Sequence, residues 1–332
     1  MRFCFIIEAR YRNEAMPMVI ADQLLRWRHE VDLLEPDTTI TCLSNLPLQD
    51  YDAYILKTVS EGPGLSLLEA AEAVGIPTIN SSRSIRLVRD KAVATAFAQS
   101  QGLPIPLTYF VAHPHLLGQI PERDYPLVVK PTNGSSCRGI YRVDSPADLA
   151  TLEIAEANDS FFLAQHYVEN TGFDIKLYVT GAEVYGVAKR SPLHPEVEVN
   201  KRLIPITQEL RKLALYVGKI FGLDIYGLDV VETLQGPVVV DINDFPSFGQ
   251  VPLAVSLVSA HILQLASRAE LQRMVPMKRV QPRRKEMIDS AMHLLNLTQA
   301  AKHTEGHILS SSEGIIQNEL YTTLASEETG SF

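Results

Sequence analysis

Cysteine is scarce in this chain. Only three occur in 332 residues, Cys4, Cys42 and Cys137, scattered and odd in number. No C-x-x-C pair is present, which argues against a disulfide framework or a zinc site and fits a reducing compartment. Long apolar runs are missing too. The longest, near 253–266, contains serine and histidine and is too short to span a bilayer. The opening MRFCFIIEAR reads as a strand, too short for the charged and apolar regions of a secretory signal. These absences predict a cytoplasmic protein without membrane association. Positive charge is in deficit, 30 Lys and Arg against 39 Asp and Glu, a formal net charge of −9. That argues against a general nucleic-acid binder but leaves room for a local basic pocket. There is no Walker A pattern, no G-x-G-x-x-G and no internal repeat. What remains, 46% hydrophobic and 21% charged, is ordinary globular composition. The length allows two or three domains.

Strands expected at 3–7, 31–34, 54–56 and 76–79 alternate with helices at 18–27 and 65–74, so residues 1–85 predict a small α/β unit with a mostly parallel sheet. A helix over 85–101 stops at Gly102 before Pro104 and Pro106. Strands follow at 127–130, 140–143 and 161–164, with a helix at 147–157. A hairpin is expected at 175–179 and 184–188 around Gly181, then a helix at 208–221 closed by Gly222. Strands at 225–231 and 238–242 precede a helix at 254–266. Beyond about 270 the pattern changes. A basic run (Lys278, Arg279, Arg283, Arg284, Lys285) reads as a solvated linker before a short helix near 287–295 and a polar, partly disordered end.

The segment VVVDINDFPSFG, 238–249, is the most informative. Asp241 and Asn243 are i, i+2 on a strand and so share a face. A carboxylate and an amide oxygen on a rigid strand suit Mg²⁺. Asp229, in YGLDVVE upstream, is a third candidate on a neighbouring strand. Taken alone, Asp241 and Asn243 would sooner be read as ending a strand and opening a turn.

A second motif is PLVVKPTNGSSCRGIYRV, 126–143. A buried strand delivers Lys130, and a small-residue loop with Gly134, Ser135, Ser136 and Gly139 returns to a strand. Backbone N–H groups of such a loop can approach phosphates, with Lys130 as a point charge. An ordinary hairpin loop with a solvent lysine is the competing reading. In FFLAQHYVENTGFDIKLYVTG, 161–181, the backbone at Gln165, His166, Tyr167 and Val168 could meet an adenine edge, with Glu169 on a ribose hydroxyl. Lys176, two residues after Asp174, and Arg190, after Lys189, could stabilise charge on a transferring phosphoryl group.

The order of these motifs resembles the ATP-grasp superfamily, and within it the RimK-type carboxylate–amine ligases, over roughly residues 1–266. The segment 81–110 is similar to the family's Asp-Lys pair, helix and "GIPvP", which implies Lys91 as a first phosphate-contacting lysine. KPTNGSSCRGI resembles the family's KP-x-x-GSWGRGV, QHYVENTGFDIK its QEYI-x-E…G-x-DIR, and YGLDVVE…GPVVVDIN its metal strands. Cys137 stands at a loop glycine, DIN at Glu-x-Asn, Lys176 at an arginine, and NKRLIP at "N…RGG". The resemblance implies an α/β (α+β) ATP-grasp fold in three parts. They are a preATP-grasp α/β domain at 1–85, a lid at 86–165 and a metal and catalytic domain at 166–270, with an extension at 271–332. It implies ATP with two Mg²⁺ ions (or Mn²⁺) on Asp229, Asp241 and Asn243. It also implies acyl-phosphate chemistry joining a small-molecule or peptide carboxylate to an amine, and it allows a homo-oligomer. Substrate-side residues are expected around Arg12, Asn200 and Arg202.

Two alternatives stay open at this point. DIN…DFPSFGQVP and Lys176 also resemble ATP-grasp inositol polyphosphate kinases, which would need further cations, available in Lys57, Arg12, Lys189, Lys201 and Arg202. A catalytically silent nucleotide-binding protein is the other.

Overall fold

The computed structural model describes residues 1–274, apart from 14, 58–61, 133–138, 151–160, 171 and 195–199. The expected basic linker, the short helix near 287–295 and the polar end lie outside the described residues.

The chain opens with β1 (Arg2–Ile7), α1 (Ala15–Arg26), β2 (Glu30–Leu34), β3 (Ala53–Lys57), α2 (Pro63–Ala73) and β4 (Thr78–Ile79). The strands form a parallel sheet in the order β2-β1-β3-β4. Alternation along β1 divides two cores. Phe3, Phe5 and Ile7 join Ile20 and Leu24 of α1, while Cys4 and Ile6 join Leu65 and Leu68 of α2. Strand period two dictates this split.

One helix was expected over 85–101, and two form. These are α3 (Ser82–Arg89) and α4 (Lys91–Ser100), separated at Asp90. The Asp90 backbone is extended, and its carboxylate accepts from the N–H groups of Ala92 and Val93, both at 3.1 Å. Aspartate gains more as an N-cap than inside a helix, so the chain breaks there.

A second sheet contains β5 (Thr108–Val111), β6 (Leu127–Pro131), β7 (Tyr141–Val143) and β8 (Phe162–His166), antiparallel in the order β5-β8-β6-β7. Strand β5 escapes sequence reading because it follows a proline-rich stretch and has only four residues. The expected helix at 147–157 begins as a 3-10 turn, Pro146–Ala150, and its remainder lies outside the described residues.

The third sheet holds β9 (Phe173–Thr180), β10 (Glu183–Arg190), β11 (Arg202–Ile204), β12 (Ile225–Thr233) and β13 (Gly236–Asp244), in the order β11-β10-β9-β12-β13. Helix α5 (Gln208–Phe221) covers one face. It starts where Thr207 Oγ1 accepts from Leu210 N at 3.1 Å and ends at Gly222 with φ 68°. A left-handed terminal position favours glycine, which lacks a Cβ to clash. Leu210, Ala214, Val217 and Phe221 of α5 pack on Ile175, Leu177, Leu228 and Val230. Burying each such large side chain contributes about 1.5–3 kcal/mol. The other face sends Tyr178, Val187 and Ile225 into the core of the first sheet, together with Val258 and Ile262 of α6 (Ala254–Met274). That helix continues past the expected end at 266.

Candidate active site

Register across three strands builds the site. Asp229 of β12 stands opposite Asp241 of β13, and Gly227 opposite Asn243. On its other side Asp229 pairs with Lys176 of β9. Strand β10 sets Val187 opposite Lys176 and Lys189 opposite Asp174. Cross-strand partners share a face. Lys176, Lys189, Asp229, Asp241 and Asn243 therefore project together, on the face that α5 does not cover.

The contacts are short. Lys176 Nζ donates to Asp229 Oδ2 at 2.7 Å, and Lys189 Nζ lies 2.7 Å from Asp229 Oδ1. Lys91 Nζ reaches Asp241 Oδ1 at 2.9 Å. Lys130 Nζ donates to the Val240 carbonyl at 2.8 Å. Asn243 Nδ2 is 3.4 Å from both Asp229 Oδ2 and Asp241 Oδ2. Arg89 grips Asp244 through two bonds of 3.1 and 3.0 Å. Lys57 Nζ donates to the Phe245 carbonyl at 2.8 Å.

The electrostatics follow from this packing. Burial pushes the Asp229 carboxyl up, but Lys176 and Lys189 outweigh it and hold the group well below the usual carboxylate range. Burial likewise opposes ionisation of Asp241, and Lys91 and Lys130 reverse the effect. Asp174 goes the other way: burial raises it against the pull of Lys189 and a hydrogen bond from Ser191.

These side chains line a cavity of about 620 Å³. Of the residues singled out from sequence, it gathers Lys91, Lys130, Gln165, His166, Tyr167, Val168, Lys176, Asp229, Asp241 and Asn243. Gly134, Ser135 and Ser136 lie outside the described residues. Gly139 has φ 71° beside Pro131 and does not line the cavity, although its neighbour Ile140 does. Glu169 is exposed and is not part of the lining. Arg12, exposed and 3.3 Å from Glu35, is also outside it, as are Asn200 and Arg202. Arg190 belongs to the opposite face of β10, where it is exposed, and its place is taken by Lys189. A shift of one residue along a strand exchanges faces, so sequence alone could not choose between the two. Lys57, Lys189 and Lys201, weighed from sequence only as loose cations, do line the cavity. Arg89 and Asp244 were not anticipated. Asp244 directly follows Asn243, which was the available signal.

The donor set fits a hard cation. Two carboxylates and an amide stand within hydrogen-bond reach on one face of the sheet, and oxygen ligands of this kind suit Mg²⁺. Among the described residues no group of three His, Cys, Asp or Glu gathers as a metal cluster, so Asn243 is needed to complete the set. Its amide would present oxygen instead of nitrogen after a half-turn about its terminal bond, a change that leaves its shape almost unaltered.

A cavity between two antiparallel sheets, ringed by lysines and floored by these acids, defines an ATP-grasp enzyme. The chain belongs to the RimK-like ATP-grasp family, whose domain matches residues 88–257, just over half of its length. It is 26% identical over 251 residues to a probable alpha-L-glutamate ligase of Haemophilus influenzae, covering 67% of this chain and 83% of that one. A relative of the same description from Legionella pneumophila is 26% identical over 259 residues, covering 69% and 83%. Among solved structures, a RimK domain ATP-grasp protein from Sphaerobacter thermophilus superposes with a TM-score of 0.62 at 19% identity, over 79% of this chain and all of that one. D-alanine–D-alanine ligase from Bacillus anthracis gives 0.62 at 16% identity, over 82% and 99%. The protein is an ATP-dependent ligase that joins a carboxylate to an amine. The curated relatives are described as probable alpha-L-glutamate ligases, which favours this activity over the polyol-kinase and silent-binder alternatives. Among the described residues no helix is long and apolar enough to cross a membrane.

Proposed function

We propose that this chain activates a small-molecule or peptide carboxylate as an acyl phosphate and passes it to an amine. One observation carries the reading. Lys91, Lys130, Lys176 and Lys189 come from separate parts of the chain and converge on the face that bears Asp229, Asp241 and Asn243. Lys91 and Lys130 bind the phosphates of ATP as point charges. The backbone at 165–168 takes the adenine.

A carboxylate oxygen of the substrate attacks the γ-phosphorus. The bond to the β–γ bridging oxygen breaks, leaving ADP and an acyl phosphate. The amine then attacks the acyl carbon, phosphate departs with the bonding pair, and the amine loses a proton. Lys176 and Lys189 stabilise the charge that builds on the phosphoryl group and then on the tetrahedral oxyanion. Asp229, Asp241 and Asn243 would hold Mg²⁺ or Mn²⁺, which neutralises phosphate charge, and the resemblance implies two such ions. The use of ATP and the free thiols of Cys4 and Cys42 support a cytoplasmic setting.

The test is ADP release across a panel of carboxylates, with and without hydroxylamine. Hydroxylamine converts acyl phosphates to hydroxamates. Hydroxamate formation is the expected result. ADP release with a polyol phosphate and no hydroxamate from any acid would replace this reading with a kinase.

A further inference from the structure

Two walls of the cavity come from different sheets. One is the backbone at 165–168, where β8 of the second sheet ends. The other is the end of β10 in the third sheet, with Lys189 against Asp229 and the turn that follows it. A side-chain hydrogen bond links the two walls. The Tyr167 hydroxyl lies 2.7 Å from His194 Nε2. Either atom can supply the proton, since an imidazole nitrogen donates or accepts according to its tautomer and a phenol does both.

The tyrosine end of this bond is fixed. Tyr167 is buried, and its backbone N–H donates to the Pro126 carbonyl at 2.7 Å. The Arg142 guanidinium of β7 lies 4.2 Å from the centre of its ring, within cation–π range. A buried tyrosine aims its hydroxyl at a partner, and here that partner is His194.

The histidine end is fixed as well. His194 N donates to the Ser191 carbonyl at 3.2 Å, closing a turn directly after β10. Pro192 is the second residue of that turn, where its fixed φ suits the geometry. Ser191 is buried and donates to Asp174, which faces Lys189 across the strand pair. The turn is thus tied back to the strands that carry Lys189. Pro192 and Leu193 line the cavity and His194 does not, so His194 acts there through Tyr167.

We propose that His194 is a positioning residue for the nucleotide. Through Tyr167 it fastens the segment that takes the adenine to the turn that follows Lys189, and so holds the base and the transferring phosphoryl group in register. This inference rests on the placement of ATP given above. The gain is preorganisation. A segment already held in its bound shape loses less freedom when the base arrives. Correct spacing then brings the γ-phosphate to Lys189 without readjustment.

The test is calorimetric titration of ADP, with Mg²⁺ present, into the full chain. His194→Phe keeps a ring but removes Nε2, and Tyr167→Phe removes the same bond from its other end. Each should weaken ADP binding by about 3- to 10-fold, the scale of one hydrogen bond. The double variant should bind no more weakly than either single one, because all three lack the same interaction. His194→Gln, whose amide can stand in for Nε2, should restore binding to within about twofold. Melting temperatures near that of the unaltered protein show which variants fold. If His194→Phe does not fold, Tyr167→Phe decides by the same measure. Unchanged ADP affinity, losses that multiply in the double variant, or a glutamine variant as weak as the phenylalanine one would each overturn the assignment. ADP bound equally well by the unaltered protein and His194→Phe would keep the placement of ATP and reject His194 alone. An unaltered protein that binds no ADP would reject both.

Discussion

Lys189 Nζ lies 2.7 Å from Asp229 Oδ1, on the face of β10 opposite that of its neighbour Arg190. Two adjacent basic residues at one strand end therefore have different surroundings. One sits in the cavity against a largely buried carboxylate, and the other faces solvent. Lys189→Ala should lower kcat by about 100-fold, the scale for removing one donor that stabilises transition-state charge. Arg190→Ala should leave kcat within a few fold. Steady-state kinetics on both variants checks this, and the opposite order of effects would overturn the assignment.

Asp241 faces Asp229 across the strand pair and receives Lys91 at 2.9 Å. Asp241→Ala should reduce Mg²⁺-dependent ADP production by about 100-fold or more while leaving the melting temperature close to that of the unaltered protein. A metal titration in the presence of ADP reads the loss of ion binding directly. A folded variant with full turnover would remove Asp241 from the metal site.

The Arg89–Asp244 pair joins the end of α3 to the end of β13, and both side chains are close to fully buried, with 9% and 12% of their surface exposed. Breaking a buried pair from one side costs about 3–5 kcal/mol, because a charge loses its partner where water is excluded. Asp244→Ala should destabilise the protein by that amount in urea unfolding. Replacing both, Arg89→Met with Asp244→Leu, should recover most of the stability and still impair turnover, since the α3–α4 break that positions Lys91 would lose its tie to β13. Equal stability of the single and double variants would show that the pair contributes nothing beyond packing.

Acid sensitivity has one source far from the site. The Tyr51 hydroxyl donates to Asp32 Oδ2 at 2.7 Å and Arg2 Nη2 does so at 2.6 Å. The tyrosine bond, followed by Arg2, holds the Asp32 carboxyl below its ordinary value of 3.8 against the opposing effect of burial. A carboxyl lowered by folding binds its proton more weakly in the folded state, so the unfolded chain gains protons first as pH falls. The unaltered protein should melt above Asp32→Asn by a constant margin at pH 5 and higher. That margin should shrink below about pH 4 and vanish once the pH passes the lowered value. A margin that persists at pH 2 would mean that Asp32 acts through packing, not charge.

Much of this arrangement is local enough to read from sequence. Asp241 and Asn243 share a face because alternation on a strand is strict. Gly222 closes α5 because a left-handed residue is needed there. Asp90 marks a helix start by its side chain, although the hydrophobic pattern runs across it and suggests one continuous helix. Lys189 and Arg190 look equivalent in sequence, since either satisfies a basic residue before the turn at Ser191.

The sequence by itself determined the layered α/β architecture, the acids and amide on adjoining strands that are proposed as metal ligands, and the lysines proposed for phosphate. These rest on short-range geometry, in which a residue's role depends on neighbours a few positions away. Only the tertiary structure decided which lysines reach the acids. Lys176, Lys189 and Asp229 meet through the registers of β9, β10 and β12, and a one-residue slip would have reversed every face. Lys57 reaches Phe245 across 188 positions of chain. That contact exists because Phe245, Phe248 and the first sheet bury apolar surface together, and burial is indifferent to separation along the chain.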